Sequence, residues 1–463
     1  MPNLWILTEE RPKRDVVATI LHKFSIDYKQ PCFIDTIRIL PILDYNRRFS
    51  FKYEVMGFRS NAIDKIYLKI VSGYSSFVDF LIFYQNEMPG IQDTPIYAIE
   101  ETKTDDSASR NTGVYQRASK FVYIDHYYSG IRKVMLYNLK TAENPVQTAT
   151  YNFGMRCLVT LGVEVLGKRH DETFFHPFDS VDELIDSKAK MRAAPRGNIP
   201  ITIRKNCDKI TISGRLVKSG SLSHDPNIGA LTLISAVIRK LGWNNEIIIE
   251  SHGLEQDHLR SSNKFIKIAE MLNIKLDGLS MPQGTLNERY WKYETEGEKL
   301  GTIFIHLVVD NFTKGESIFE NHAGSEKGYF ITKDGKAIPL KKYRDRTLYK
   351  NGDKTQIISI PDLILIDFDR SEIINVEGKK YEFRQRAIEE LGDYEAIENL
   401  YIRKYYEGYR IVRTVVLYGG TANEIYEIEV GFLLNKNGQL ILGIRAPEIF
   451  GEAIRNLIDF WFN

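Results

Sequence analysis

The sequence predicts a mixed α/β protein, with sheets flanked by helices, divided into more than one domain. Three observations predict it. The chain has 463 residues, too many for one compact core of usual size. Apolar residues make up 43% of it and aromatic residues 12%, enough to build buried cores and to argue against large-scale disorder. Short β-branched and aromatic runs alternate with stretches of near-helical apolar spacing.

In the first third, runs at Phe51–Phe58, Ile66–Val71, Phe77–Tyr84 and Pro95–Ile99 predict strands. A Ser/Asp-rich turn at Asp105–Ser109 follows. Val114, Ala118, Phe121 and Val122 then recur at helical spacing within Val114–Tyr128, and Lys133–Tyr137 reads as another strand. From Lys188 to Pro200, Ala, Gly, Pro and basic residues replace the apolar pattern, which predicts a linker. Asp225–Leu241 predicts a helix with Asp225 as N-cap, Pro226 in its first turn and Gly242 at its end. Ser262–Leu272 predicts a second one.

The last third repeats the outline of the first. Thr302–Val309 predicts a strand and Lys314–Glu326 a helix. Strands follow at Ile357–Ile366 and Ile373–Val376, helices over Arg384–Tyr406, a strand at Ile411–Tyr418 and a closing helix at Pro447–Phe462.

Composition excludes some classes. Cys32, Cys157 and Cys207 are scattered and form no C-x-x-C pair, so neither a disulfide framework nor a cysteine zinc site is expected. The apolar run near Met1 is too short for a signal peptide, and no stretch approaches the roughly 20 apolar residues of a membrane helix. A soluble, cytoplasmic protein is expected. Lys plus Arg number 62 against 61 Asp plus Glu, so any polyanion-binding face must come from local clustering. One cluster stands out. Ser187–Gly220 holds nine cations (Lys188, Lys190, Arg192, Arg196, Arg204, Lys205, Lys209, Arg215, Lys218) and one acid, Asp208. It reads either as a solvated surface or as a face for phosphates.

The chemistry concentrates in two segments. In Ile360–Lys379, Pro361 and Asp362 open an apolar strand, Asp369, Arg370 and Ser371 supply turn residues, and the chain returns to Glu377, Gly378 and Lys379. Residues i and i+2 of a strand share a face, so Glu377 and Lys379 point together, and pairing brings Asp362 to the same end. Two carboxylates can hold Mg²⁺, and an ammonium beside them can act on a bound water. In Phe77–Lys103, Asp79 sits inside an apolar run, and Pro95–Ile99 leads to Glu100, Glu101, Thr102 and Lys103. There Glu101 and Lys103 share a face and Glu100 points away. Val78 replaces the proline. A bare (D/E)-x-K is weak: Asp27-Tyr-Lys29, Asp186-Ser-Lys188 and Asp334-Gly-Lys336 lack this context and read as surface turns.

Both segments resemble the PD-(D/E)XK nuclease superfamily. Pro361-Asp362…Glu377-Gly-Lys379 looks like its complete motif, and Val78-Asp79…Glu101-Thr-Lys103 looks like the same motif without its proline. The resemblance covers about 120 residues at each end. It implies two restriction-endonuclease-like domains, 1–180 and 301–463, around a central DNA-recognition region at 187–300. It also implies Mg²⁺ as cofactor and double-stranded DNA as substrate. Asp79 and Glu101, and separately Asp362 and Glu377, would bind the metal, while Lys103 and Lys379 would act on the attacking water. Family members often carry a glutamine or basic residue on the following helix, where Gln116 and Arg117, and Gln385 and Arg386, stand here. Many add an acid from the preceding helix, for which Glu320 or Glu316 is the candidate.

Two centres in one chain, without a G-x-x-x-x-G-K-[ST] loop, look most similar to a type II restriction endonuclease that reads an asymmetric site as a monomer, each centre cutting one strand. A separate methyltransferase would accompany such an enzyme. The rivals are one live centre plus a degenerate copy working as a dimer, and a non-cutting DNA-binding protein. Further DNA-contact candidates are Arg110 and Asn111 after the first motif, and His224 and Asn227 at a helix start, where capping is the plainer role. His170 and His176 with Asp171 and Glu172 fit no common zinc spacing.

Overall fold

The computed structural model describes residues 1–43, 49–73, 77–102, 113–137, 148–167, 173–193, 201–215, 226–252, 263–280, 289–322, 329–340, 359–419, 431–434, 440–442 and 446–462. It is a mixed α/β structure with several mixed sheets. The chain forms two compact units that do not follow the three expected segments. Met1–Val71, Gln85–Met88 and Tyr293–Asn463 make one, and Ser72–Tyr84 with Pro89–Lys292 make the other.

In the first unit, the opening residues carry elements that the sequence reading did not predict: strand Asn3–Thr8, helix Arg14–Asp27 and strand Cys32–Leu43. Cys32–Leu43 pairs antiparallel with Phe49–Ser60, which pairs antiparallel with Ile66–Gly73. Asn3–Thr8 runs parallel to Ile66–Gly73, with Leu4 beside Ile66. Leu4, Ile6 and Leu7 are fully buried, so both faces of this strand are covered.

The same unit holds a six-stranded sheet, ordered Glu316–Glu320, Leu363–Asp367, Glu372–Lys380, Arg410–Tyr418, Gly431–Leu434 and Leu440–Leu442. The first two junctions are antiparallel, the next two parallel and the last antiparallel. Every residue of Leu363–Asp367 is buried. Ile364 and Ile366 join Ile373, Val415 and Leu417 in a core with Ala387, Tyr394 and Ile397 of the helical segment after Lys380. Helix Gly297–Phe312 packs against Glu372–Lys380 and Arg410–Tyr418. Gly297 permits the close approach: a Cβ there would stand 1.8 Å from the Tyr418 ring.

Two predicted elements change type. Thr302–Val309, expected as a strand, is the middle of helix Gly297–Phe312. Leu300–Val309 is buried throughout, so the helix has no polar face to give its sequence a 3.6-residue period. Lys314–Glu326, expected as a helix, contains strand Glu316–Glu320, paired with Leu363–Asp367.

In the second unit, Phe80–Gln85 pairs antiparallel with Tyr97–Thr102, which runs parallel to Arg132–Tyr137, itself parallel to Glu164–Leu166. Helices Gly113–Ile124 and Ala149–Thr160 fill the two parallel crossovers. A four-stranded sheet follows, ordered Ile274–Leu276, Glu246–His252, Lys209–Arg215 and Thr202–Lys205. Helix Pro226–Lys240 packs on Gly113–Ile124, where Gly229 faces the Tyr115 carbonyl. Residues 188–193 of the expected linker belong to helix Val181–Ala193; residues 194–200 lie outside the described ones. Each unit thus contains an antiparallel hairpin followed by a helical crossover to a parallel strand. Cys32, Cys157 and Cys207 are unpaired, and no described helix is long and apolar enough to cross a membrane.

Candidate functional site

The tight hairpin between Leu363–Asp367 and Glu372–Lys380 sets the first cluster. Asp367 Oδ1 accepts from the N–H groups of Asp369 and Arg370, both at 3.1 Å, and Ser371 takes a φ of 52°, which closes the turn. The register places Leu363 opposite Val376, so one step on Asp362 stands opposite Glu377. Gly378 N donates to Asp362 Oδ2 at 2.9 Å. Lys379 Nζ donates to Glu377 Oε1 at 2.6 Å and lies 3.0 Å from Glu390 Oε2. The Tyr394 hydroxyl donates to the other Glu377 oxygen. Asp362, Glu377 and Lys379 therefore come together at one end of the sheet.

A third acid arrives from helix Gly297–Phe312. Glu298, in its first turn, accepts from Lys380 N at 3.0 Å, and its charge acts on Asp362. Gly378 makes room for that helix: a Cβ there would meet Thr302 Cγ2 at 2.6 Å and the Glu298 carbonyl oxygen at 3.0 Å. Burial pushes the Asp362 carboxyl up to about 7, and the Glu377 charge pushes the same way against the Gly378 hydrogen bond and Lys379. Burial works against the Lys379 charge, yet Glu377 and Glu390 outweigh it and hold the ammonium well above its usual range. Asp362 and Glu377 thus face each other across the hairpin, and Lys379 lies between Glu377 and Glu390. Two facing carboxylates are the kind of oxygen ligand that Mg²⁺ takes, with waters completing its shell.

The second unit builds a related cluster, one residue out of the expected register. Phe80 pairs with Ile99, so Asp79 stands opposite Glu100, not Glu101. Glu101 N donates to Asp79 Oδ2 at 2.6 Å, the place Gly378 N takes beside Asp362. Glu100 thus corresponds to Glu377, Glu101 to Gly378 and Thr102 to Lys379. Thr102 cannot supply an ammonium; its hydroxyl donates to the Leu136 carbonyl. The cation comes instead from helix Gly113–Ile124, where Lys120 Nζ donates to Glu100 Oε1 at 2.6 Å and Oε2 at 2.8 Å. Lys103 lies outside the described residues.

Burial pushes Glu100 up to about 7; the Asp79 charge adds and Lys120 opposes. Behind Lys120, the buried Lys264 donates to Ser119 Oγ at 2.9 Å, and burial, with the Lys120 charge, lowers it to about 7.

Glu320 is not on a helix beside Asp362. It ends strand Glu316–Glu320, where Arg11 approaches its carboxylate at 3.4 Å. Glu316, on the same strand, is exposed. The missed Glu298 had a sequence signal, an acid in the first turn of a long apolar segment, hidden by reading that segment as a strand. Tyr394 and Lys120 had none: each arrives through a crossover.

Of the predicted DNA contacts, Arg204 pairs with Glu250 at 2.6 Å and Lys205 with Asp182 at 2.7 Å, both on the strand Thr202–Lys205. Gln385 is exposed and donates to Glu389 at 3.2 Å. Gln116 lies on helix Gly113–Ile124, Arg192 on Val181–Ala193, Arg215 on Lys209–Arg215 and Asn227 on Pro226–Lys240. Arg110, Asn111, Arg196, Lys218 and His224 lie outside the described residues. No protein-family model, no curated protein and no solved structure matches this chain.

Proposed function

We propose that this chain is a Mg²⁺-dependent endonuclease that hydrolyses phosphodiester bonds of double-stranded DNA. One centre is Asp362, Glu377 and Lys379; the other is Asp79, Glu100 and Lys120. The observation that carries the reading is a repeated one: an acid faces an acid across a hairpin, the next N–H caps the first acid, and a lysine grips the second.

Asp362 and Glu377, with Glu298 alongside, would hold the cation. When bound, it lowers the pKa of an attacking water and offsets charge growing on the phosphate. Lys379, held charged by Glu377 and Glu390, donates hydrogen bonds to that water or to a phosphate oxygen; it does not remove a proton. Tyr394 fixes the Glu377 carboxylate from behind. Two centres in one chain suit a type II restriction enzyme acting on an asymmetric sequence, one strand per centre.

A second reading has one observation in its favour. Lys120 occupies both oxygens of Glu100, which fits a degenerate copy that binds DNA without cutting it. Supercoiled plasmid, incubated with Mg²⁺ or with EDTA, tests the activity. The enzyme cuts only with Mg²⁺; plasmid intact in both tubes rejects the nuclease reading.

A further inference from the structure

His306, Glu320 and His322 take no part in the proposed hydrolysis. Their ligand atoms all lie within 4.8 Å of one another. His306 Nδ1 is 2.9 Å from His322 Nε2 and 3.8 Å from Glu320 Oε2. His306 comes from the buried helix Gly297–Phe312, Glu320 from the end of strand Glu316–Glu320, and His322 two residues further on. We propose that these three side chains form a binding site for a zinc-class divalent ion, whose role is structural.

The arrangement behind His322 prepares it as a ligand. The Thr302 hydroxyl donates back along its helix, to the Lys299 carbonyl at 3.0 Å. It is therefore an acceptor toward His322 Nδ1, 3.2 Å away, so that nitrogen carries the proton. The lone pair of His322 then sits on Nε2, aimed at His306 and Glu320. A hydrogen bond to the far nitrogen of this kind fixes tautomer and ring orientation in metal-bound histidines. Burial holds both imidazoles neutral, as ligation requires: His322 falls to about 4 and His306 lies well below its usual value.

The ligand set selects the class of ion. Two imidazoles and one carboxylate suit zinc or cobalt, whereas Mg²⁺ prefers oxygen. Arg11 stands against Glu320 and would oppose a cation, but Asp310 shares its charge at 3.4 Å. Glu320 is the partly exposed member of the set, and both histidines are buried.

Such an ion would brace the strand end beside Asp362. Asn321, between two of the ligands, donates its N–H to the Asp362 carbonyl at 2.8 Å. Thr302 also lies against Gly378.

The test uses full-length Asp79→Asn/Asp362→Asn protein, in which both oxygen-rich clusters are weakened, titrated with Co²⁺. Carboxylate-bound Co²⁺ is six-coordinate and pale, whereas a four-coordinate imidazole site absorbs strongly in the visible. The expected result is one equivalent of strongly absorbing Co²⁺, displaced by Zn²⁺, with a rise in melting temperature. Thr302→Val, nearly isosteric, should weaken Co²⁺ binding by about 10- to 100-fold while the protein stays folded. A folded double variant that shows no such absorption, or an absorption that persists unchanged in His306→Gln, overturns the proposal in favour of a closed imidazole pair.

Discussion

Asp79 Oδ2 accepts the backbone N–H of Glu101 at 2.6 Å, as Asp362 Oδ2 accepts that of Gly378 at 2.9 Å, which makes Glu101 the register counterpart of a glycine. Glu100 is the acid that faces Asp79. Glu100→Gln should therefore lower cleavage by the second-unit centre by about 10²-fold or more. Glu101→Gln should cost less than tenfold. Strand-resolved nicking of plasmid reads both, and the reverse order would refute the assignment.

Lys120 supplies the ammonium that Thr102 cannot. Lys120→Ala should slow that same centre by about 10²-fold and leave the Asp362 centre unchanged. Restoring an amine at the strand position, as Thr102→Lys in the Lys120→Ala background, should recover part of the loss. Equal slowing of both strands would contradict this.

Asp362 gives a dependence of stability on pH. Its folded pKa, about 7, lies above the ordinary 3.8, so the folded state binds this proton more tightly than the unfolded state. The resulting stabilisation is full below the ordinary value and is lost as pH rises through about 7. Asp362→Asn keeps an acceptor for Gly378 N and removes the charge. In metal-free buffer it should melt several degrees above wild type near pH 8, and close to wild type near pH 4. Mg²⁺ should narrow the gap by stabilising wild type alone. A variant that melts below wild type at the higher pH contradicts the shift.

Gly378→Ala places a methyl group 2.6 Å from Thr302 Cγ2 and 3.2 Å from Asp362 Oδ2. Overpacking of this kind should cost about 1–3 kcal/mol, read by denaturant unfolding, and should reduce cutting by the Asp362 centre. An alanine variant with full stability and activity would mean the helix bearing Glu298 is not held that close.

The hairpin at Asp362 was legible because its turn is local: Asp369, Arg370 and Ser371 follow an apolar run, and the strands between Leu363 and Val376 can pair in one way. The register at Asp79 was not. Two adjacent acids stand at 100 and 101, and shifting a strand by one residue turns every side chain to the opposite face. A longer connection between the strands left the choice to tertiary packing. Helix Gly297–Phe312 was misread because burial on all sides erases the polar stripe that marks a surface helix. Lys120, twenty residues beyond its partner Glu100, is brought back only by the crossover to Arg132–Tyr137. Residues 1–43, which carried no predicted element, fold in the unit that also contains the Asp362 centre.

Two acid–acid–lysine clusters that each cut one DNA strand would leave a nicking enzyme when either is disabled. Plasmid cleavage with Mg²⁺ by Asp362→Asn and by Asp79→Asn, with the nicked strand identified by run-off sequencing, tests this. Nicked circles from both variants, on opposite strands, are expected. Loss of all cutting in either variant, or double-strand breaks unchanged in either, would contradict it.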